Sequence, residues 1–251
     1  MSPPPPDAPR AAARGAVRGA ARVAAGGAVR RAERPQGVLR FTLGERWVHH
    51  STALLMGVCV FTAACLYLPQ LAQLVGRRAL MVTLHEWSGL LLPAPFLLGL
   101  ASRAFRADLR RLNRFGPHDR DWLTAALRRR RYGRESGKFN AGQKVWAAWI
   151  AGAVLVMTAT GLMMWFTDLA PLVWRTAATF VHDWLALAIG VVLIGHVLMA
   201  AGDPEARRGM RTGRVAPDWA RREHPLWRPP AEADADADAD ADAGAGADAR
   251  P

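Results

Sequence analysis

Four stretches of this chain are long and apolar enough to be helices that cross a bilayer. They run from about Trp47 to Leu68, Leu80 to Ala101, Val145 to Phe166 and Thr179 to Ala201. The hydrocarbon core of a membrane is spanned by about 20 mostly apolar helical residues. Pro93 and Pro95 fall inside the second stretch. Proline breaks a soluble helix, but a membrane helix tolerates it where neighbours satisfy the freed backbone groups. Trp47, Trp87, Trp146, Trp149, Trp165 and Trp184 lie toward the ends of the stretches, where amphipathic rings anchor at the interface. The expected fold class is all-α, an integral membrane four-helix bundle.

The mean hydropathy of +0.02 conceals this pattern, because polar ends and a very basic middle segment dilute the apolar runs. The net charge is +12, from 33 Lys and Arg against 21 Asp and Glu. Nine arginines precede or occupy position 46, thirteen Lys or Arg lie in 103–144 and seven in 207–228. The other two connections, 69–78 and 167–177, together hold three. These three segments hold 29 of the 33 cations, and a four-span layout gathers them on one side. The positive-inside rule makes that side the cytoplasm, with both termini there and the protein in the plasma membrane. Membrane lipid, not nucleic acid, is the partner this charge pattern implies. Residues 1–39 read as a disordered basic arm without a secretory h-region, 40–228 as the membrane domain, and 229–251 as a low-complexity acidic tail.

Cys59 and Cys65 lie six apart in one apolar run. They fall on roughly opposite helix faces, cannot bridge each other, and lack zinc-site spacing. Histidine carries the chemical signal. His49, His50, His85, His182 and His196 lie within the stretches, and an ionisable residue inside a bilayer points to function. With alternating spans, His85 and His182 fall near the outer face, and His49 and His196 near the inner one. His182 and His196 are 14 residues apart, nearly four turns, so both point from one helix face about 21 Å apart. Zinc would take three or four clustered ligands. Two separated imidazole pairs on facing helices instead suit two haems of bis-histidine type in the bundle core.

Gly89 lies one turn after His85, and with Gly57, Gly152, Gly161, Gly190 and Gly195 it could admit a macrocycle; small residues serve close helix packing equally well. Glu86 and Asp183 each follow an outer histidine; they either hydrogen-bond locally or, the reading favoured here, sit in a first helical turn where the dipole favours negative charge.

RWVHH at 46–50, LHEWSG at 84–89, GKFNAGQK at 137–144, the paired histidines of the last stretch and RVAPDWARREHPLW at 214–227 resemble the cytochrome b (gamma) subunit of respiratory formate dehydrogenases. The resemblance covers about Arg40 to Arg228 and is most specific in GKFNAGQK. It implies that His85 and His182 ligate the outer haem, and His49 and His196 the inner one. It further implies that Asn140, Gly142 and Gln143 line a quinone site beside the inner haem, with menaquinone the expected acceptor. Asn and Gln offer both donors and acceptors to a quinone carbonyl; the alternative for Asn140 and Gln143 is that they only cap the span that follows. Lys138 and Lys144 read as charge anchors, His118 as exposed, and His224 as structural or docking. Where the family has Trp after its first ligand this chain has His50, which leaves His49 and His50 as alternatives.

The resemblance implies a membrane anchor that receives electrons from an iron–sulfur subunit and passes them through two b-type haems to a quinone. Formate would be oxidised on a separate molybdenum or tungsten catalytic subunit; no substrate-oxidising site is apparent in this sequence. The rivals are the haem subunit of a hydrogenase or thiosulfate reductase, and a transporter or scaffold without haem.

Overall fold

The computed structural model describes residues 37–130, 134–168 and 170–229. The acidic tail and most of the basic arm lie outside the described residues.

Helix α1, Leu43–Tyr67, begins on a reciprocal cap. The Thr42 hydroxyl accepts the Glu45 N–H, and the Glu45 carboxylate accepts the Thr42 N–H at 2.6 Å. The first helical N–H groups have no partner within the helix, so such a cap sets its start. Pro69 opens the short α2, Pro69–Val75, which ends at Gly76 in the left-handed region. Helix α3, Arg78–Leu91, stops at Leu92 and Pro93, and α4 covers Ala94–Gly99. Proline lacks an N–H and clashes with the preceding turn, so the second apolar stretch is two helices in place of one. Next come α5, Arg103–Leu112, capped by Ser102, and α6, Pro117–Leu127. Two long helices follow, α7, Ala141–Trp165, and α8, Leu172–Gly202. Both start earlier than the apolar pattern alone predicts. Asp183 therefore sits well inside α8, and Glu86 lies past the first turn of α3, so the first-turn reading of both is incorrect.

The helices α1, α7 and α8 are each long and apolar enough to cross a membrane. Arg78–Gly99 meets the same standard only together with α5, from which it is bent by 104°. The described residues therefore hold three membrane-crossing helices, or up to four. Only 6% of the most apolar window of α8 is buried by protein, so its surface requires an apolar solvent such as lipid. The centre is a four-way contact of Met56 on α1, Leu92 at the α3–α4 break, Ala153 on α7 and Ile189 on α8.

The chain segments rich in cations fold together. Helix α9, Pro204–Thr212, precedes strand β2, Arg214–Val215, and α10, Pro217–Glu223. Strand β1, Val38–Leu39, pairs antiparallel with β2 in the register Val38↔Val215 and Leu39↔Arg214. This ladder is an addition to the expected all-α plan. Gly213 between α9 and β2 has φ +85°, and a Cβ there would lie 2.5 Å from the Phe41 carbonyl oxygen. Only glycine permits both, and its carbonyl accepts the N–H groups of Arg40 and Phe41.

Buried charges lock this layer. The Lys138 ammonium meets Glu45 at 3.3 Å and Asp108 at 2.5 Å, all three nearly fully buried. The Lys144 ammonium meets Asp119 at 2.7 Å and donates to the Arg114 carbonyl at 2.9 Å. Both lysines are thus anchors within the protein. His224 is buried as well. Its Nδ1 faces the Gly137 carbonyl at 2.7 Å and its ring packs between Trp219 and Trp227, which gives it a structural place.

Candidate cofactor-binding site

The helices bring four of the histidines into two pairs. His85 on α3 faces His182 on α8 with ring centres 6.2 Å apart. His49 on α1 faces His196 on α8 with ring centres 6.4 Å apart. His50, the alternative to His49, turns away and approaches the Met210 carbonyl through Nε2 at 3.2 Å.

The spacing of each pair can be compared with a metal between two imidazoles. Metal–nitrogen bonds of about 2.0–2.1 Å, plus about 1.1 Å from nitrogen to ring centre on each side, would set two imidazoles that shared one metal no more than about 6.3 Å apart, centre to centre. Both pairs match that span. Beside the helices there is room: a Cβ built on Gly57, Gly89, Gly152, Gly190 or Gly195 would meet nothing within 4 Å. Close helix packing is therefore not what these five glycines provide here. Gly161 differs, because its Cβ would sit 3.4 Å from the His182 ring. Among the described residues no group of three or more His, Cys, Asp or Glu could hold a bare metal ion. Two separate imidazole pairs suit a planar haem better than a zinc cluster.

The partners of the two pairs differ. At the first, His85 Nδ1 lies 3.0 Å from the Thr62 hydroxyl and 3.2 Å from the Cys59 carbonyl. His182 Nδ1 lies 2.9 Å from the Thr160 hydroxyl. At the second, His196 stacks on Trp146 with ring centres 5.1 Å apart and planes 9° from parallel.

Asn140 and Gln143 open α7 as a reciprocal cap. They also line a cavity of about 250 Å³, together with Arg40, Trp122, Trp219 and His224. Gly142 has another part. A Cβ there would come within 2.9 Å of the Trp122 ring, so glycine lets the first turn of α7 close on α6. Trp146, which stacks on His196, is one turn beyond Gln143. The NAGQ turn therefore leads directly to the second histidine pair.

The electrostatics of this polar layer are strongly perturbed. Burial lowers the Arg40 pKa to about 10, although Asp203 and Asp108 favour its charge. Burial, and then the nearby Arg40 charge, push His224 down to about 4. Asp108 rises to about 6, through burial and a hydrogen bond with Glu45, against the opposing effect of Lys138. Burial would raise Asp119 too, but its bonds to Lys144 and the Gly116 N–H prevail and lower it.

Sequence patterning missed Thr62 and Thr160, which touch the histidines, and Glu45, Asp108 and Asp119, which neutralise the buried lysines; it read Trp146 only as an interfacial anchor and not as the ring that stacks on His196. Threonine and tryptophan are ordinary in apolar helices.

A family model described as prokaryotic cytochrome b561 matches residues 40–212. The cytochrome b556(fdo) subunit of formate dehydrogenase from Escherichia coli (strain K12) is 27% identical over 206 residues, covering 78% of this chain and 93% of that one. The cytochrome b556 subunit of formate dehydrogenase from Haemophilus influenzae is 22% identical over 200 residues, covering 76% and 82%. The cytochrome b556(Fdn) subunit of the nitrate-inducible Escherichia coli enzyme is 30% identical over 94 residues. That match spans 36% of this chain and less than half, 43%, of the relative. The family match covers most of the chain and coincides with the helices that bear the histidine pairs: this chain belongs to the prokaryotic cytochrome b561 family and is a multi-pass membrane cytochrome b.

Proposed function

We propose that this chain is the membrane anchor and electron-transfer subunit of a formate dehydrogenase, receiving electrons from an iron–sulfur subunit and delivering them to a membrane quinone. The observation that carries the proposal is the double use of α8. His182 and His196, 14 residues apart on one helix, each face a histidine on a different helix, with ring centres 6.2 and 6.4 Å apart, close enough for each pair to share one metal. The names of the relatives support the choice of formate dehydrogenase over another respiratory complex.

In this reading His85 and His182 hold one b-type haem and His49 and His196 the other. When bound, haem iron supplies reversible one-electron chemistry at each pair. The chain's own residues fix the positions of both groups. Helix α8 sets their separation, and the four-way contact around Met56 and Ile189 holds the facing helices. The distribution of cations favours a cytoplasmic location for both termini, the 103–144 loop and the His49–His196 pair. The His85–His182 pair then faces outward, toward the iron–sulfur subunit and the molybdenum or tungsten subunit that oxidises formate.

The quinone site is assigned to the NAGQ turn. Asn140 and Gln143 spend their carbonyl oxygens on the cap but keep their amide N–H groups as donors. They border a cavity, and Trp146 links their helix to His196. Reduction of a quinone to a quinol takes two electrons and two protons. On this assignment the protons come from the cytoplasmic side.

The test uses the full complex in membranes. Formate should reduce both haems, and an added menaquinone analogue should re-oxidise them. Co-purification of this chain with a hydrogenase, and failure of formate to reduce its haems, would replace the proposed partner.

A further inference from the structure

The hydrogen bonds around His85 and His182 have a direction. Thr62 Oγ1 lies 2.7 Å from the Val58 carbonyl, four residues back on its own helix, and 3.1 Å from the Cys59 carbonyl. Thr160 Oγ1 repeats this with the carbonyls of Val156 at 2.7 Å and Met157 at 3.2 Å. A threonine hydroxyl has a single proton, and a carbonyl can only accept. Each hydroxyl therefore donates to its own helix and has lone pairs left for the histidine. The proton in each Thr–His contact must come from Nδ1. The Cys59 carbonyl, 3.2 Å from His85 Nδ1, demands the same. Both imidazoles are thereby held as the Nδ1–H tautomer, with the Nε2 lone pair free.

The two threonines stand on different helices, α1 and α7, and neither helix supplies a histidine to this pair. Thr62 is 1% exposed and Thr160 9%, so water does not compete freely for their bonds. Among the described residues neither His49 nor His196 has a comparable hydroxyl partner; His196 instead lies flat on Trp146.

We infer that Thr62 and Thr160 are positioning residues for the haem ligands His85 and His182: they select the Nε2 ligand atom and lower the reduction potential of that haem alone. The inference rests on the bis-histidine reading above. An acceptor on Nδ1–H makes the imidazole a stronger electron donor and raises its basicity toward the metal. A more basic ligand favours the oxidised, more positive iron. Because both ligands of one pair carry such an acceptor, the haem that receives electrons is held at the lower potential. Transfer toward the His49–His196 pair then runs downhill.

The experiment is a redox titration of the purified full chain, monitored optically and by low-temperature EPR, with haem content measured in parallel. The haem at His85–His182 is identified as the one lost in His182→Ala. Thr62→Val and Thr160→Val keep the side-chain shape and remove the hydroxyl. Each should raise that haem's potential, and the double variant should shift its reduction equilibrium by about tenfold, or about 59 mV for a one-electron couple. Its EPR g-values should move, while the other haem keeps its potential. Thr62→Ser and Thr160→Ser should restore wild-type values. An unchanged potential in a double valine variant that retains both haems overturns the inference, as does an equal shift of both haems. Should the valine variants lose the haem, the serine variants decide: wild-type potential supports the inference and a displaced one overturns it. Absence of two bis-histidine haems in the wild-type chain would instead refute the reading on which the inference rests.

Discussion

Asn140 and Gln143 cap each other across the first turn of α7: Asn140 Oδ1 accepts the Gln143 N–H at 2.9 Å, and Gln143 Oε1 accepts the Asn140 N–H at 3.0 Å. A cap and a quinone contact make different demands on the same side chains. Gln143→Leu removes both the acceptor and the donor. It should cost about 1 kcal/mol of stability, retain both haems, and slow quinone-driven re-oxidation at least about tenfold, equivalent to 1.4 kcal/mol in the reactive complex. Gln143→Glu keeps the acceptor for the cap but lacks the amide donor. It should restore stability while re-oxidation stays slow. Stopped-flow re-oxidation with thermal melts separates the two roles, and wild-type re-oxidation in Gln143→Leu would move the quinone site elsewhere.

The two histidine pairs should fail independently. His182→Ala should abolish the haem that receives electrons from the donor subunits, and His196→Ala the haem that passes them on. Difference spectra of the two variants should therefore lack different components. Loss of the same component from both, in folded protein, would refute the pairing.

Lys138 neutralises two carboxylates at once, and all three groups are nearly dry. Lys138→Met strands Glu45 and Asp108 beside each other. Removing one partner of a buried ion pair costs about 3–5 kcal/mol. A thermal melt in detergent should show that loss, and adding Asp108→Asn should recover part of it by removing the repulsion. An unchanged melting temperature in Lys138→Met would show that this network contributes little to the polar layer.

His224 predicts an acid sensitivity. Its pKa falls from 6.5 to about 4 in the folded chain, through burial and then the Arg40 charge. Between those values the unfolded state binds the extra proton and the folded state does not. Stability from this group is therefore fully present above about 6.5 and lost as pH falls toward 4, by at most about 3 kcal/mol. Asp108 acts in the opposite sense, since its pKa is raised to about 6: its contribution declines as pH rises from about 4 to 6. His224→Gln should flatten the acid-side loss without abolishing the Asp108 trend. Melting curves from pH 4 to 7 give the comparison, and identical acid slopes for wild type and variant would contradict it.

The long helices were legible because a membrane requires unbroken apolarity, and that requirement is written residue by residue in 145–166 and 179–201. The facing of His85 with His182 and of His49 with His196 followed from helix direction and the near-integral four turns between the histidines of α8. Helix starts were less legible. Thr42 caps its helix with a polar side chain that a scan for apolar runs discards, whereas the cap by Asn140 and Gln143 is one of the two roles their sequence offers. The α3–α4 break at Pro93 was visible as a proline, but the expectation that neighbours would satisfy the freed backbone groups kept the stretch as one span. Least legible were contacts between distant segments. Lys138 lies 30 residues from Asp108 and 93 from Glu45, and two-residue strands such as Val38–Leu39 carry no periodicity to detect. Thr62 and Thr160 left no signal, because a threonine bonded to its own helix is chemically ordinary until a histidine stands opposite.

The central claim is that the two facing imidazole pairs are two haem sites, and haem stoichiometry tests it most directly. Pyridine haemochrome analysis of the purified, folded chain should give two b-type haems per polypeptide, with EPR signals of low-spin, bis-imidazole iron from both. One haem per chain, or none, would contradict the account.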